Sequence, residues 1–274
     1  MFPPKRILFP VDFSARCTDA ARMAEIFTGH FQAELTLLHV VEPLTYNDVP
    51  VDVDALGERQ LAAYLAEELK QLDVKRVLMH GEPASQIVDY AQAGDFDLIM
   101  LPTHGYGGFR RLILGSVAAR VLRDAQCPVW TGAHMEQVPK LEDIAVRKVI
   151  CALDLGPQSC PTLRFGKQIA SEFGADLQVV HAIAKTRDHA FAEDVEELVS
   201  QAEKKIADVQ QCVGAEANVV MLSGEAPQAV CCFAAREKAD LVVIGRSLHS
   251  GLAGRLRANA YSIIRQSPCP VVSV

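Results

Sequence analysis

The chain has 274 residues, half of them hydrophobic and 22% charged, an ordinary globular composition that argues against disorder. A net charge of −7 favours solubility and gives no support to binding of nucleic acid or of an anionic membrane. The opening Met1-Phe2-Pro3-Pro4-Lys5-Arg6 lacks the apolar core of a signal peptide, and no apolar run approaches membrane-spanning length, so a cytoplasmic location is expected.

In chain order the pattern predicts strand 5–11, helix 14–28, strand 34–41, helix 55–72, strand 74–79, helix 83–93, strand 97–102, helix 115–124 and strand 128–131. It then predicts strand 147–153, helix 159–173, strand 176–183, helix 189–212, strand 216–222, helix 226–238, strand 240–245, helix 257–266 and strand 270–274. The strand segments are continuous apolar runs, as a parallel sheet covered on both faces requires. Ser14 and Ser159 read as helix N-caps, and Gly29 and Gly174 as the residues that close the helices following them.

These two series are one series repeated. Ile7-Leu8-Phe9-Pro10-Val11-Asp12 returns as Val149-Ile150-Cys151-Ala152-Leu153-Asp154, Gly81-Glu82 as Gly224-Glu225, and Cys127-Pro128-Val129 as Cys269-Pro270-Val271. The offset stays at 142 to 143 residues, which marks a duplicated domain. The expected domains are 1–133 and 145–274, joined by a linker, each large enough to bury a core. Alternating strands and helices imply right-handed crossovers and a doubly wound α/β sheet, whose ligands bind beyond the carboxyl ends of the strands where strand order reverses. Residues 42–54 form a long acidic connection that reads equally as a lid, a contact surface or a simple insertion. None of the eight cysteines forms a C-x-x-C pair, and Cys127, Cys151, Cys231 and Cys269 sit in apolar runs as small hydrophobes.

The most specific segment runs from Pro102 through Thr103, His104, Gly105 and Gly108 to Gly115 and Ser116. Glycines let backbone N–H groups approach a ligand closely, and Gly115-Ser116 at a helix start would add the helix dipole and a hydroxyl. Together with the Asp12 start and the Cys-Pro-Val finish of both halves, these residues resemble the universal stress protein family over nearly the whole chain. The resemblance implies two tandem doubly wound five-stranded parallel-sheet domains of the adenine nucleotide alpha hydrolase-like kind. It further implies that the halves pair through their last strands as an internal pseudo-dimer, with further homo-oligomerisation left open.

The ATP-binding branch of that family carries glycine, two residues, glycine, nine residues, then Gly-Ser or Gly-Thr. In the first half Gly105, Gly115 and Ser116 fit, but Pro102 stands at the first glycine and removes one N–H. The resemblance brings Pro10, Val11, Asp12, Val40, Thr103, His104 and Val117 to the same site, with Asp12 toward the ribose or phosphates and Val40 against the adenine. ATP or ADP with Mg is therefore the expected ligand of domain 1 only.

In the second half Gly245 is kept, Leu248 replaces the second glycine, and Ala258-Asn259 replaces Gly-Ser. Asp154, Gly245, Arg246, Arg255, Arg257 and Asn259 are its candidate contacts, the arginines reading either as solvated surface or as holders of an anionic ligand. Asp12 and Asp154 read either as ligand contacts or as caps between strand and helix, and His39 and His181 as satisfied structural groups. No Walker A sequence and no nucleophile–base pair at motif spacing is present. The expectation is a non-catalytic ligand-binding stress-response module; the rivals are a nucleotide-independent scaffold, a receptor for another anionic or amphiphilic small molecule, and a weak ATPase.

Overall fold

The computed structural model describes residues 2–42, 53–102, 114–132, 145–184, 192–246 and 253–274, with backbone alone at 19, 53–54, 192–194 and 253–258. The chain divides into two compact units, Met1–Leu141 and Glu142–Val274. The first contains β1 (Arg6–Pro10), α1 (Ala15–Phe31), β2 (Glu34–Val41), α2 (Val53–Ala63), β3 (Val74–His80), α3 (Pro83–Ala93), β4 (Leu98–Pro102), α4 (Ser116–Asp124) and β5 (Val129–Gly132). The second contains β6 (Lys148–Ala152), α5 (Ser159–Phe173), β7 (Asp176–Ile183), α6 (Ala192–Val213), β8 (Asn218–Ser223), α7 (Ala226–Glu237), β9 (Leu241–Ile244), α8 (Ala253–Gln266) and β10 (Val271–Ser273).

Each unit carries five parallel strands, in the order β3-β2-β1-β4-β5 in the first and β8-β7-β6-β9-β10 in the second. Strand order reverses between β1 and β4, and again between β6 and β9, so the carboxyl ends of these pairs face the place where such sheets hold ligands. The continuous apolar strands are covered on both faces as expected: Ile7, Leu8, Phe9, Ile99 and Met100 are fully buried, as are Val149, Ile150, Val242 and Val243.

One carboxylate in each unit ties the start of its first strand to the start of its fourth. Asp97 Oδ2 accepts the N–H groups of Lys5 (2.9 Å) and Arg6 (3.2 Å), and Asp240 Oδ2 those of Arg147 (2.8 Å) and Lys148 (2.9 Å). Burial alone would raise the Asp97 pKa, but the hydrogen bonds it accepts outweigh that and hold it below the usual carboxylate value.

Several expected boundaries are corrected. Helix α1 runs past Gly29 to Phe31, and Gln32 supplies the left-handed closing residue (φ 50°). Ser159 is the first residue of α5, with Gln158 as the N-cap, whereas Gly174 does close that helix at φ 63°. The helix expected over 55–72 stops at Ala63, although Leu61, Leu65 and Leu69 keep a spacing of four and are all buried. Leu65 adopts φ 54°, and the Arg76 guanidinium donates to the freed carbonyls of Leu61 (3.0 Å) and Tyr64 (3.3 Å). The apolar period thus survives a break that a distant arginine satisfies.

Candidate functional site

At the end of β1 the chain turns sharply. Phe13 sits at φ 62°, a left-handed conformation that is costly for a bulky side chain. Asp12 compensates, its Oδ1 accepting the Ser14 N–H at 3.0 Å and the Cys17 thiol at 3.0 Å. The second unit repeats the device: Leu155 has φ 60°, and Asp154 Oδ1 accepts the Gly156 N–H (2.9 Å) and the Ser159 hydroxyl (3.4 Å). Ser14 is the N-cap of α1, but its side chain makes no capping hydrogen bond. The carboxylate two residues earlier orders this turn instead. Asp12 Oδ2 makes no further hydrogen bond among the described residues, which leaves it available to a ligand.

Both histidines at the ends of the second strands hold the same turn from the other side. His39 Nδ1 lies 2.8 Å from the Val11 carbonyl and His181 Nδ1 lies 2.8 Å from the Leu153 carbonyl. A carbonyl can only accept, so Nδ1 carries the proton in each ring. Phe13 packs on His39 at 4.2 Å between ring centroids and edge-on to Tyr64 at 5.0 Å. The Tyr64 hydroxyl donates to the Ser14 carbonyl at 3.0 Å. The turn that carries Asp12 is therefore anchored by two neighbours, His39 and Tyr64.

Above this turn, at the strand-order reversal, lies a cavity of about 370 Å³, inside the range of small-molecule sites. Of the candidate residues, Pro10, Val11, Asp12, Val40, Pro102, Gly115, Ser116 and Val117 all line it. Thr103, His104 and Gly105 lie outside the described residues, as do Gly108, Arg110, Arg111 and most of the acidic 42–54 connection. Sequence reasoning missed Cys17, Leu38, Pro83, Ile87, Leu101 and Ala118 on the wall, and took His39, which also lines it, as structural alone. Pro83 opens α3 directly after Gly81-Glu82, a repeated pair that was the available signal. Gly81 and Gly224 sit at φ 134° and 122°, where a side chain is strained, so this turn demands glycine in both copies. Glu82 then caps α3 by accepting the Ala84 (3.2 Å) and Ser85 (2.8 Å) N–H groups. Those bonds, that from Ser85 above all, hold its carboxyl below the usual range.

The wall of this cavity has two characters. Pro10, Leu38, Val40, Pro83 and Ile87 contribute apolar surface, and Asp12, Ser116 and the start of α4 contribute polar groups. Gly115 is the N-cap of α4, and its carbonyl accepts the Ala119 N–H at 2.8 Å as the first bond of the helix. The N–H groups of Ser116, Val117 and Ala118 consequently precede the intrahelical ladder, at the positive end of the dipole. Gly115 has φ −59° and ψ 148°, a backbone conformation open to any residue. Cys17 takes no part as a nucleophile: burial first, then the adjacent Asp12 carboxylate, push its thiol up to about 12.

The second unit has a smaller cavity, about 210 Å³, at the matching place. Asp154, Gly245 and Asn259 line it, with His181, Ala182, Val230 and Ile263. Arg246 is buried, not solvated, and is absent from this wall. Arg255 and Arg257 belong to α8 and not to the preceding loop, and their side chains lie outside the described residues. With no Gly-Ser break, α8 begins at Ala253, and Ala258-Asn259 falls in its second turn. An N–H at that depth bonds the carbonyl four residues back, so the groups that are free at Ser116 are spent at Asn259. Gly245 also has a packing reason to be glycine, since a Cβ there would stand 2.9 Å from Thr162 Oγ1 and 3.0 Å from Gln158 Cβ.

The family model described as the universal stress protein family matches residues 3–131 and again 145–274. The chain belongs to the universal stress protein family. A universal stress protein of Methanocaldococcus jannaschii is 32% identical over 139 residues, covering 46% of this chain and 79% of that relative. One from Thermus aquaticus is 34% identical over 131 residues, covering 46% of this chain and 96% of the relative. Each relative thus matches about one unit's length. The crystal structure of a universal stress protein from Archaeoglobus fulgidus matches with a TM-score of 0.71 at 22% identity, over 98% of this chain and 95% of its own, a likeness of fold. Tandem universal stress protein domains, each an α/β sheet, are therefore the architecture.

Proposed function

We propose that the first unit binds ATP or ADP and that the protein acts as a cytoplasmic, non-catalytic regulatory module of the stress response. The second unit, in this reading, holds a remodelled pocket without a phosphate cradle. The observation that carries it is the contrast between the helix starts: α4 opens at Gly115-Ser116 beside the cavity, while α8 has already run through the equivalent positions.

The residues fit the ligand. An adenine rests against Val40 and Leu38, a ribose hydroxyl reaches the unoccupied Oδ2 of Asp12, and phosphates meet the N–H groups of Ser116, Val117 and Ala118. Pro102 withholds one N–H from that cradle, which lowers affinity without closing the site. Among the described residues no group of three or more His, Cys, Asp or Glu could hold a metal by itself. Mg would enter with the phosphates it is bound to, with the Ser116 hydroxyl as a nearby oxygen ligand. Among the described residues no helix is long and apolar enough to cross a membrane.

Calorimetric titration with Mg-ATP and Mg-ADP tests the reading, together with mass spectrometry of nucleotide released from natively purified protein. Binding of one nucleotide per chain, lost in Gly115→Val, is expected; that variant folds because the Gly115 backbone suits any residue. Absence of both heat and co-purifying nucleotide would replace this reading with the nucleotide-independent scaffold.

A further inference from the structure

Two helices contribute to the wall of the first unit's cavity, α3 through Pro83 and Ile87 and α4 through Ser116, Val117 and Ala118. One arginine outside that wall ties them together. Arg120 Nη1 lies 2.9 Å from Glu82 Oε2, and Arg120 Nη2 donates to the Ser85 hydroxyl at 2.9 Å. The planar guanidinium fork thus grips two groups at the start of α3 at once, a geometry that lysine cannot copy. Its Nε stands 3.7 Å from Asp124 Oδ2, one turn further along α4.

The groups it grips are themselves fixed. Glu82 Oε2 also accepts the Ser85 N–H (2.8 Å) and Oε1 the Ala84 N–H (3.2 Å), so this carboxylate belongs to the cap of α3. At the other end, Arg120 follows Ser116 by four residues, which puts both on one face of α4. The guanidinium therefore acts on the turn whose N–H groups precede the helical ladder.

The second unit replaces this arrangement. At a constant offset of 143, Glu82, Ser85 and Arg120 correspond to Glu225, Gln228 and Ile263. Glu225 makes no side-chain capping bond, and Ile263 is buried and lines the second cavity. An aliphatic side chain on the wall stands where the first unit has an arginine held outside it. The cavity there is about 210 Å³, against about 370 Å³ in the first unit.

We propose that Arg120 is a positioning residue of the first unit's site: by bracing the start of α4 against the cap of α3, it sets where the phosphate-binding N–H groups stand relative to the wall residues of α3. The inference rests on the reading of this cavity as a nucleotide site. It gives Arg120 a share in selectivity for phosphate-bearing ligands without contact with them. Both members of the ion pair are half exposed, so the brace is a modest one.

The test titrates full-length wild type, Arg120→Ile, Arg120→Lys and Ser85→Ala with Mg-ATP, Mg-ADP and adenosine. Arg120→Ile, which installs the second unit's residue, should weaken ATP and ADP about fivefold, the most an exposed pair supplies, and change adenosine by less than about twofold. Arg120→Lys should recover only part of that loss, and Ser85→Ala should weaken ATP by about twofold. Equal weakening of all three ligands would mean a general structural defect, and full recovery by lysine would mean direct charge contact with phosphate; either overturns the proposal. Hydrogen–deuterium exchange of the ligand-free protein reads the brace separately: segments 83–93 and 116–124 should exchange at least about threefold faster in Arg120→Ile, with 226–237 unchanged. That response in a protein that binds no nucleotide upholds the brace and removes the nucleotide reading, whereas unchanged exchange removes the brace itself.

Discussion

Asp12 presents two oxygens with separable work, and substitution can tell them apart. Asp12→Asn keeps an acceptor for the Ser14 N–H and the Cys17 thiol, both held by Oδ1, while replacing the unoccupied Oδ2 by an amide donor. The turn should survive, with stability changed by less than about 1 kcal/mol. Nucleotide affinity should not survive intact. A hydrogen bond from a ribose hydroxyl to an ionised carboxylate contributes about 1.5–3 kcal/mol, so the dissociation constant should rise about 10- to 150-fold. Asp12→Ala removes both functions. It loses one charge-assisted cap, worth about 1–2 kcal/mol, a weaker thiol bond, and the compensation for Phe13 at φ 62°. A loss of about 2 kcal/mol should lower the urea midpoint of the first unit by about 1 M.

The duplicated chain supplies its own control. Asp154→Ala removes the equivalent bonds to Gly156 and Ser159, so it should cost a similar amount of stability without touching nucleotide affinity. Urea unfolding and calorimetric titration on the four proteins complete the comparison. If Asp12→Asn binds nucleotide as tightly as the wild type, Asp12 is a turn residue and nothing more. If Asp154→Ala weakens binding as much as Asp12→Ala does, the site is not confined to the first unit.

Other expectations are equally direct. Gly245→Ala should destabilise the second unit by about 1–3 kcal/mol, since its Cβ would meet Thr162 Oγ1 at 2.9 Å; an unchanged urea midpoint would mean α5 shifts freely. Asp240→Ala should cost about 2–4 kcal/mol by releasing two backbone N–H groups, and a near-neutral result would show that water replaces the clamp. Burial raises Cys17 and Cys269 from 9.0 to about 12, so above pH 9 the unfolded chain loses protons that the folded one keeps. Stability contributed by each thiol is complete below pH 9 and falls by about 1.4 kcal/mol per pH unit between 9 and 12. A Cys17→Ala, Cys269→Ala protein should show a shallower decline across that interval than the wild type, and parallel curves would contradict the assignment.

The architecture was legible because it is written twice and because parallel strands buried on both faces read as plain apolar runs. The cavity wall was legible only where chain neighbours carried a signal. Pro10 to Asp12 and Gly115 to Val117 could be found from one motif each, whereas Leu38 and Ile87 reach the wall through β2 and α3. Their contribution is shape, and apolar residues supplying shape look like every other core residue. The end of α2 was hidden for a related reason. Leu61, Leu65 and Leu69 keep helical spacing through a left-handed residue, and the satisfaction of that break comes from Arg76 on β3. Periodicity reports which side chains face inward, not whether the backbone between them stays helical.

In the proposed reading, one copy has lost a binding function while its fold remains intact. The turn after the first strand is kept in all its parts: Asp12 and Asp154, the left-handed Phe13 and Leu155, and the histidines at 2.8 Å from Val11 and Leu153. These groups answer to one another, so a change in any of them costs stability, and their retention carries no information about ligands. The start of the last helix is under no such constraint. Replacing Gly115-Ser116 by Ala258-Asn259 adds helix-favouring alanine, lets α8 begin at Ala253, and converts exposed N–H groups into ordinary helical ones. That change adds local helical hydrogen bonds and, in the proposed reading, removes the phosphate cradle in one step. Reinstating Gly-Ser at 258–259 should therefore shorten α8 at a cost of about 1 kcal/mol for the glycine alone. It should not by itself restore nucleotide binding, because the cavity of about 210 Å³ is smaller than the first unit's and Gly245 is closed in by Thr162 and Gln158.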